Sequence, residues 1–198
     1  NAVLCAVKIN SEFKKGPGNK YSSLIKLGVG LNAGVPVGKT EGIFEDTIKA
    51  AHSFFEFVIG PLVISSEVKE LYESENQNNP LTSNKITALT ASDEKFVTEL
   101  ADFTEKEWNK TLLTSDEYCR HFGYSRSRFY RKTLSLTGGT INSYLKDYRL
   151  SKSIALLGSR DLNISEVAFE TGFNSPAYFS KCFQESFGLL PSQYIQTQ

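Results

Sequence analysis

The stretch NISEVAFETGFNSPAYFSK, residues 163–181, repeats the design of TSDEYCRHFGYSRSRFYRK, residues 114–132. Aligned on Gly172 and Gly123, each opens on a residue able to cap a short helix. Each then reaches a glycine followed by an aromatic (Phe173, Tyr124) and a cap-type serine (Ser175, Ser125). A second helix follows, with a phenylalanine (Phe179, Phe129) at the matching place. A glycine accepts the positive φ of a tight turn between helices. The aromatic after it can pack on the first helix and set the crossing angle. The serine oxygen can take up a free backbone N–H at the start of the second helix. Pro176 suits a first helical turn, where its missing N–H is harmless.

A second helix held in this way, with its N-terminal outer face exposed, is the geometry that enters a DNA major groove. The first such helix offers Arg126, Ser127, Arg128, Tyr130, Arg131 and Lys132, with Phe129, Leu134 and Leu136 as its core face. The second offers Ala177, Tyr178, Ser180 and Lys181 beyond Ser175, with Phe179, Cys182, Phe183 and Phe187 inward. Arginine can fork to guanine or grip phosphate, whereas the less basic second helix suits thymine methyls and phosphates. Between Arg120 and Lys152 eight basic residues (Arg120, Arg126, Arg128, Arg131, Lys132, Lys146, Arg149, Lys152) face one acid, Asp147, a local charge of +7 in a chain of net charge zero. Such a cluster steers an anionic partner, although a charge run alone is also what a solvated helix face looks like. Ile141, Tyr144, Leu145, Tyr148, Leu150, Ile154 and Leu157 recur at helical spacing between the two segments. They predict one long helix that fixes the separation of two recognition helices for successive grooves, about 34 Å apart.

Working outward, Ser92–Trp108 reads as a helix with Phe96, Val97, Leu100 and Phe103 on one face. Residues 76–89, rich in Asn, Ser and Thr and holding Pro80, read as a linker between a lobe at 1–75 and a domain at 90–198. The lobe mixes signals. Ala2, Leu4, Ala6, Val7, Ile9 and Phe13 suit an amphipathic helix, Gly16–Asn19 a turn, Leu24–Leu31 a buried strand, and Val35–Val37 a second strand after Gly34. A helix over Phe44–Phe57, a strand at Leu62–Ile64 and a helix capped by Ser65 or Ser66 complete it. The expected fold is an α+β N-terminal lobe followed by an all-α domain.

The composition excludes other classes. Cys5, Cys119 and Cys182 are odd in number and widely spaced, and His52 and His121 are isolated, so neither a disulfide framework nor a zinc site is expected. Reduced thiols packed in a core, and a cytoplasmic location, are the expectation. No apolar run nears the roughly 18 residues of a membrane span, so no membrane partner is expected. Gly38-Lys39-Thr40 lacks the upstream glycine of a phosphate-gripping loop. The chain opens on Asn1 and contains no methionine, so it is expected to be either a piece of something longer or a sequence that has lost residues.

Over roughly its last 100 residues the chain resembles the AraC/XylS DNA-binding domain. The residues that carry this are Ile164–Ala168, Gly172-Phe173, Tyr178–Phe183, Phe187-Gly188 and Pro191–Tyr194. It also looks like the output domain of hybrid two-component regulators. The resemblance implies seven helices, sequence-specific promoter binding and transcription control, with double-stranded DNA as partner and RNA polymerase as the machinery acted on. It places base-reading positions on Ser127, Tyr130 and Arg131, and on Ala177, Tyr178 and Lys181; Ala177 is small for hydrogen-bond readout.

Residues 1–75 resemble the latter part of a class III nucleotide cyclase domain, through Leu27–Gly34, Phe44–Ala51 and Leu62–Val68 in that order. The resemblance implies a partial ferredoxin-like lobe. The family's ribose-orienting asparagine and phosphate-stabilising arginine would fall on Lys49 and Ser53, and its metal-binding aspartates lie in a segment this chain lacks. Phosphoryl transfer depends on metals and positioned charge, so no catalysis and no cofactor are expected. A sensing or homodimerising scaffold is expected instead. The competing readings are a cyclase-like enzyme with a DNA-binding output domain, and a protein-interaction module.

Overall fold

Helical and alternating periodicities resolve into α1 (Ala2–Lys15), β1 (Val29–Leu31), α2 (Glu45–Phe57), β2 (Leu62–Ile64), α3 (Ser66–Glu75) and β3 (Ile86–Ala88). Then come α4 (Ala91–Glu107), α5 (Ser115–Phe122), α6 (Arg126–Thr137), α7 (Ile141–Ser159), α8 (Ile164–Glu170), α9 (Pro176–Phe187) and α10 (Pro191–Thr197). This is a computed structural model, and it describes residues 2–15, 27–34, 44–77 and 86–197. The chain forms two compact units. One runs to Asp102 and takes in Leu136–Gly138; the other holds Phe103–Ser135 and the residues from Gly139 on. The division falls inside α4 rather than at 76–89, and the end of that expected linker, Ile86–Ala88, is a strand.

In the first unit, Leu62, Val63 and Ile64 are all buried, as befits a central parallel strand covered on both faces. β2 pairs in parallel with β1 (Val29 with Leu62, Leu31 with Ile64) and with β3 (Leu62 with Ile86, Ile64 with Ala88). Parallel neighbours need crossover connections, and helices α2 and α3 lie in them. All three described strands run one way, so the alternating directions of a ferredoxin-like sheet are not found among the described residues. The expected strand at 35–37, the turn at 16–19 and Gly38-Lys39-Thr40 lie outside them.

Of the strand expected over 24–31, the described residues form strand only at 29–31, and these are half-buried rather than buried. Gly30 brings β1 close to α2: a Cβ there would collide with the Ala51 carbonyl oxygen. Ala6, Leu62 and Ile64 form the core, with Val7, Val29, Leu31, Val68 and Ile86 packed around them. Helix α1 forms as expected but buries Val3, Ala6 and Asn10, leaving Leu4, Ile9 and Phe13 exposed. Asn10 is anchored by donating from Nδ2 to the Pro61 carbonyl (2.9 Å). Ser65 caps α3, its Oγ accepting from the Val68 N–H (3.2 Å).

Seven helices are described between Ala91 and Thr197, the number expected. In the second unit Leu150 and Leu157 of α7, Val167 and Ala168 of α8, and Phe179, Cys182 and Phe183 of α9 close one core with Phe173. Tyr194 and Ile195 of α10 pack against it. Helix α7 has 19 residues, which makes it about 28 Å long. Cys119 and Cys182 are buried, but Cys5 is exposed, unlike the core thiol expected, and all three are free. No described helix is long and apolar enough to cross a membrane, and no group of described side chains could hold a metal ion.

Candidate nucleic-acid interface

Each repeated segment is assembled by the same local bonds. In the first, the Glu117 carboxylate reaches back to accept from the Thr114 N–H (2.8 Å). In the second, Glu166 accepts from the Asn163 N–H (2.7 Å), while Asn163 Oδ1 accepts from the N–H groups of Ser165 (2.9 Å) and Glu166 (3.0 Å). These are reciprocal caps that satisfy otherwise orphaned donors. The short helices end at Gly123 (φ 61°) and Gly172 (φ 77°), both left-handed. Past each glycine the aromatic N–H closes the turn: Tyr124 donates to the Cys119 carbonyl (3.0 Å) and Phe173 to that of Ala168 (2.9 Å). Ser125 Oγ then accepts from the Arg128 N–H, and Ser175 Oγ from the Tyr178 N–H, both at 3.3 Å.

The two units are not in one register throughout. Thr114, Glu117 and Gly123 correspond to Asn163, Glu166 and Gly172, but Ser125 and Phe129 correspond to Ser175 and Phe179, one residue further on. Asn174 is the extra residue of the second turn. Ser127 therefore corresponds to Ala177, Arg128 to Tyr178, Tyr130 to Ser180 and Arg131 to Lys181.

The faces proposed from sequence are accessible. Arg126, Ser127, Arg128, Tyr130 and Arg131 on α6 are exposed, and Lys132 is half-buried. Several are already oriented. Arg126 pairs with Asp116, Arg128 lies over the Tyr124 ring (4.2 Å to its centroid), and Arg131 Nε donates to the Ser127 carbonyl (3.3 Å). On α9, Ala177, Tyr178 and Lys181 are exposed, and Ser175 and Ser180 are half-buried. Lys181 stands 3.9 Å from Glu185. Hydrogen bonding with Cys182 raises the Tyr178 pKa above its ordinary value. A groove of about 270 Å³ brings Tyr178 and Asn174 together with Lys146 of α7 and with Thr114 and Ser115 at the start of α5.

The basic stretch is less available than its charge suggests. Arg149 is buried, donating from Nε to the Trp108 carbonyl (2.7 Å) and from Nη2 to the Lys110 carbonyl (2.6 Å). Loss of hydration lowers its pKa, and the two carbonyls replace that hydration. Lys152 pairs with Glu105 (3.1 Å) and Lys146 with Asp147 (3.5 Å).

Two core assignments also change. Leu134 is exposed and Thr133 is buried in its place, because Thr133 lies four residues after Phe129 and shares its face. Phe187 is 37% exposed at the end of α9, although its ring still packs 4.6 Å from that of Phe183.

Known proteins match this half. Residues 118–197 match the family described as "Helix-turn-helix domain". The chain is 32% identical over 114 residues to Histidine kinase P4 of Formosa agariphila, covering 58% of this chain and 8% of that protein. It is 30% identical over 144 residues to the HTH-type transcriptional activator RhaR of Salmonella schwarzengrund, covering 73% and 46%. Among solved structures it is similar to the C-terminal domain of AraT, a response regulator from Geobacillus stearothermophilus, with TM-score 0.48, 26% identity, and coverage of 50% of this chain and 83% of that one. The chain spans less than half the length of either curated relative. Two capped helix pairs, each turning on a left-handed glycine, and the family match over residues 118–197 lead to one conclusion: this half of the chain is a helix-turn-helix domain.

Proposed function

We propose that this chain is a sequence-specific transcription regulator that reads two successive major grooves, with α6 and α9 as the recognition helices and residues 90–198 as the DNA-binding domain. The observation that carries this is the duplicated turn. Two helices are held by the same caps and closures and both leave polar N-terminal faces exposed. Arg126, Ser127, Arg128, Tyr130, Arg131 and Lys132 would contact one groove and its phosphates. Ser175, Ala177, Tyr178, Ser180 and Lys181 would contact the next, with more apolar contact to thymine methyls. The match to a small part of a histidine kinase supports reading the domain as an output module that works with whatever sensor is attached. Such a regulator acts in the cytoplasm, where promoter DNA and RNA polymerase are.

The lobe up to Glu75 reads as a cyclase-derived scaffold without catalysis. Lys49 pairs with Asp102 (2.6 Å), and Ser53 is buried and donates to the Lys49 carbonyl (2.9 Å), which supports a scaffold reading of these two positions. Its exposed Leu4, Ile9 and Phe13 offer a surface for self-association. Selecting bound fragments from a promoter library, then measuring affinity against salt, tests the proposal. A preferred sequence, with affinity falling linearly in log salt, is expected. No preferred fragment and no salt dependence would refute it.

A further inference from the structure

The two helix-turn-helix units share a plan but are filled differently. Through the one-residue insertion at Asn174, Thr133 of α6 corresponds to Phe183 of α9. Phe183 is fully buried, its ring 5.8 Å from Phe179, 4.6 Å from Phe187 and 5.9 Å from Tyr194. Thr133 is just as buried, at 1% exposure, but brings no ring, and its Oγ1 has no hydrogen-bond partner among the described residues. A buried hydroxyl left unpaired is costly, and native proteins rarely leave one so. Thr133 lines a cleft of about 280 Å³ whose walls are largely apolar, among them Cys119, Phe129 and Ile141, with Arg126 and Tyr130 also on it. Helix α5 returns some bulk, since Tyr118 and Phe122 stand where the second unit has Val167 and Thr171, but the cleft remains open.

We propose that this cleft is a binding site for a small, neutral, single-ring molecule with one hydrogen-bonding substituent, of the phenol class. Its ring takes the place that Phe183 fills in the second unit, and its substituent bonds Thr133 Oγ1. A cavity of roughly 150 Å³ already admits benzene, so the volume suffices for one substituted ring. Neutrality follows from Arg126, the cation that lines the cleft, being paired with Asp116. Arg126 and Tyr130 also belong to the face assigned to DNA, so occupancy would change DNA affinity. That corollary rests on the DNA-binding reading, whereas the site itself does not.

The test titrates p-cresol and toluene into the full chain without DNA, following chemical shifts. Saturable one-to-one binding is expected, with p-cresol about 2–10-fold tighter than toluene, the worth of one neutral hydrogen bond. Thr133→Val should erase that preference while keeping toluene binding, and Thr133→Phe, which restores the ring, should abolish both. No saturable binding to the unaltered chain, or a preference that survives Thr133→Val, overturns the proposal. So does binding that survives Thr133→Phe, or a crystal grown with p-cresol that shows only a water on Thr133. Thermal melts check that each variant folds, and if Thr133→Phe does not, Thr133→Val still decides.

Discussion

The Arg149 guanidinium lies against Gly172: a Cβ on that glycine would come within 2.9 Å of Arg149 Cζ. Gly172 therefore meets two demands, a φ of 77° and room for a buried cation, whereas Gly123, at φ 61°, has nothing within 4 Å of its absent Cβ. Gly123→Ala should cost only left-handed strain, about 1 kcal/mol. Gly172→Ala should cost that and about 1 kcal/mol more, because the added methyl overpacks the site and the guanidinium must give way. Urea denaturation of both variants checks the difference, and equal losses would contradict it.

Arg149 also ties α7 to the chain just after α4, through the carbonyls of Trp108 and Lys110. Arg149→Met would leave two acceptors unpaired and should lower stability by about 3 kcal/mol. Arg149→Lys should recover part of this, since one ammonium cannot reproduce the forked geometry. A methionine variant as stable as the unaltered chain would show that the bonds carry nothing.

At the DNA, Arg131→Ala should weaken binding to the selected site by about 1–3 kcal/mol, the range for a good base contact. Fluorescence anisotropy on labelled duplex measures it, and an unaltered affinity would remove Arg131 from the interface.

Stability should fall in strong alkali through Tyr118. Burial pushes its phenol up to about 12 from an ordinary 10, against the opposing effect of its bond to Thr104. Its hydroxyl and that of Thr104 lie 3.0 Å apart in the core. Below pH 10 the phenol is neutral folded or unfolded, and this group leaves stability untouched. Between pH 10 and 12 the unfolded chain ionises first, so stability falls, by at most about 2–3 kcal/mol. Tyr118→Phe should flatten this part of the pH profile; an identical slope in both proteins would exclude Tyr118 as its source.

The helix-turn-helix units were legible because caps, glycine turns and Pro176 act within a few residues. The face of α6 was less so: assigning Leu134 rather than Thr133 to the core is a one-residue slip, and charge alone could not separate the buried Arg149 from the exposed Arg131. In the first unit, strand direction depends on pairing across the chain, which local pattern does not encode. The strand Ile86–Ala88 is too short, and too close to an Asn-rich run, to announce itself. Helix α1 carries apolar residues on more than one side, so its sequence left open that Val3 and Ala6, not Leu4 and Ile9, turn inward.

The most direct measurement compares affinity for the selected DNA site with that for the same site carrying five extra base pairs between its half-sites. Half a helical turn moves the second groove out of reach of a recognition helix whose distance is set by α7. If α6 and α9 dock together on one duplex, the insertion lowers affinity by about tenfold or more. An affinity that ignores the insertion would mean that the two helices do not read one site together.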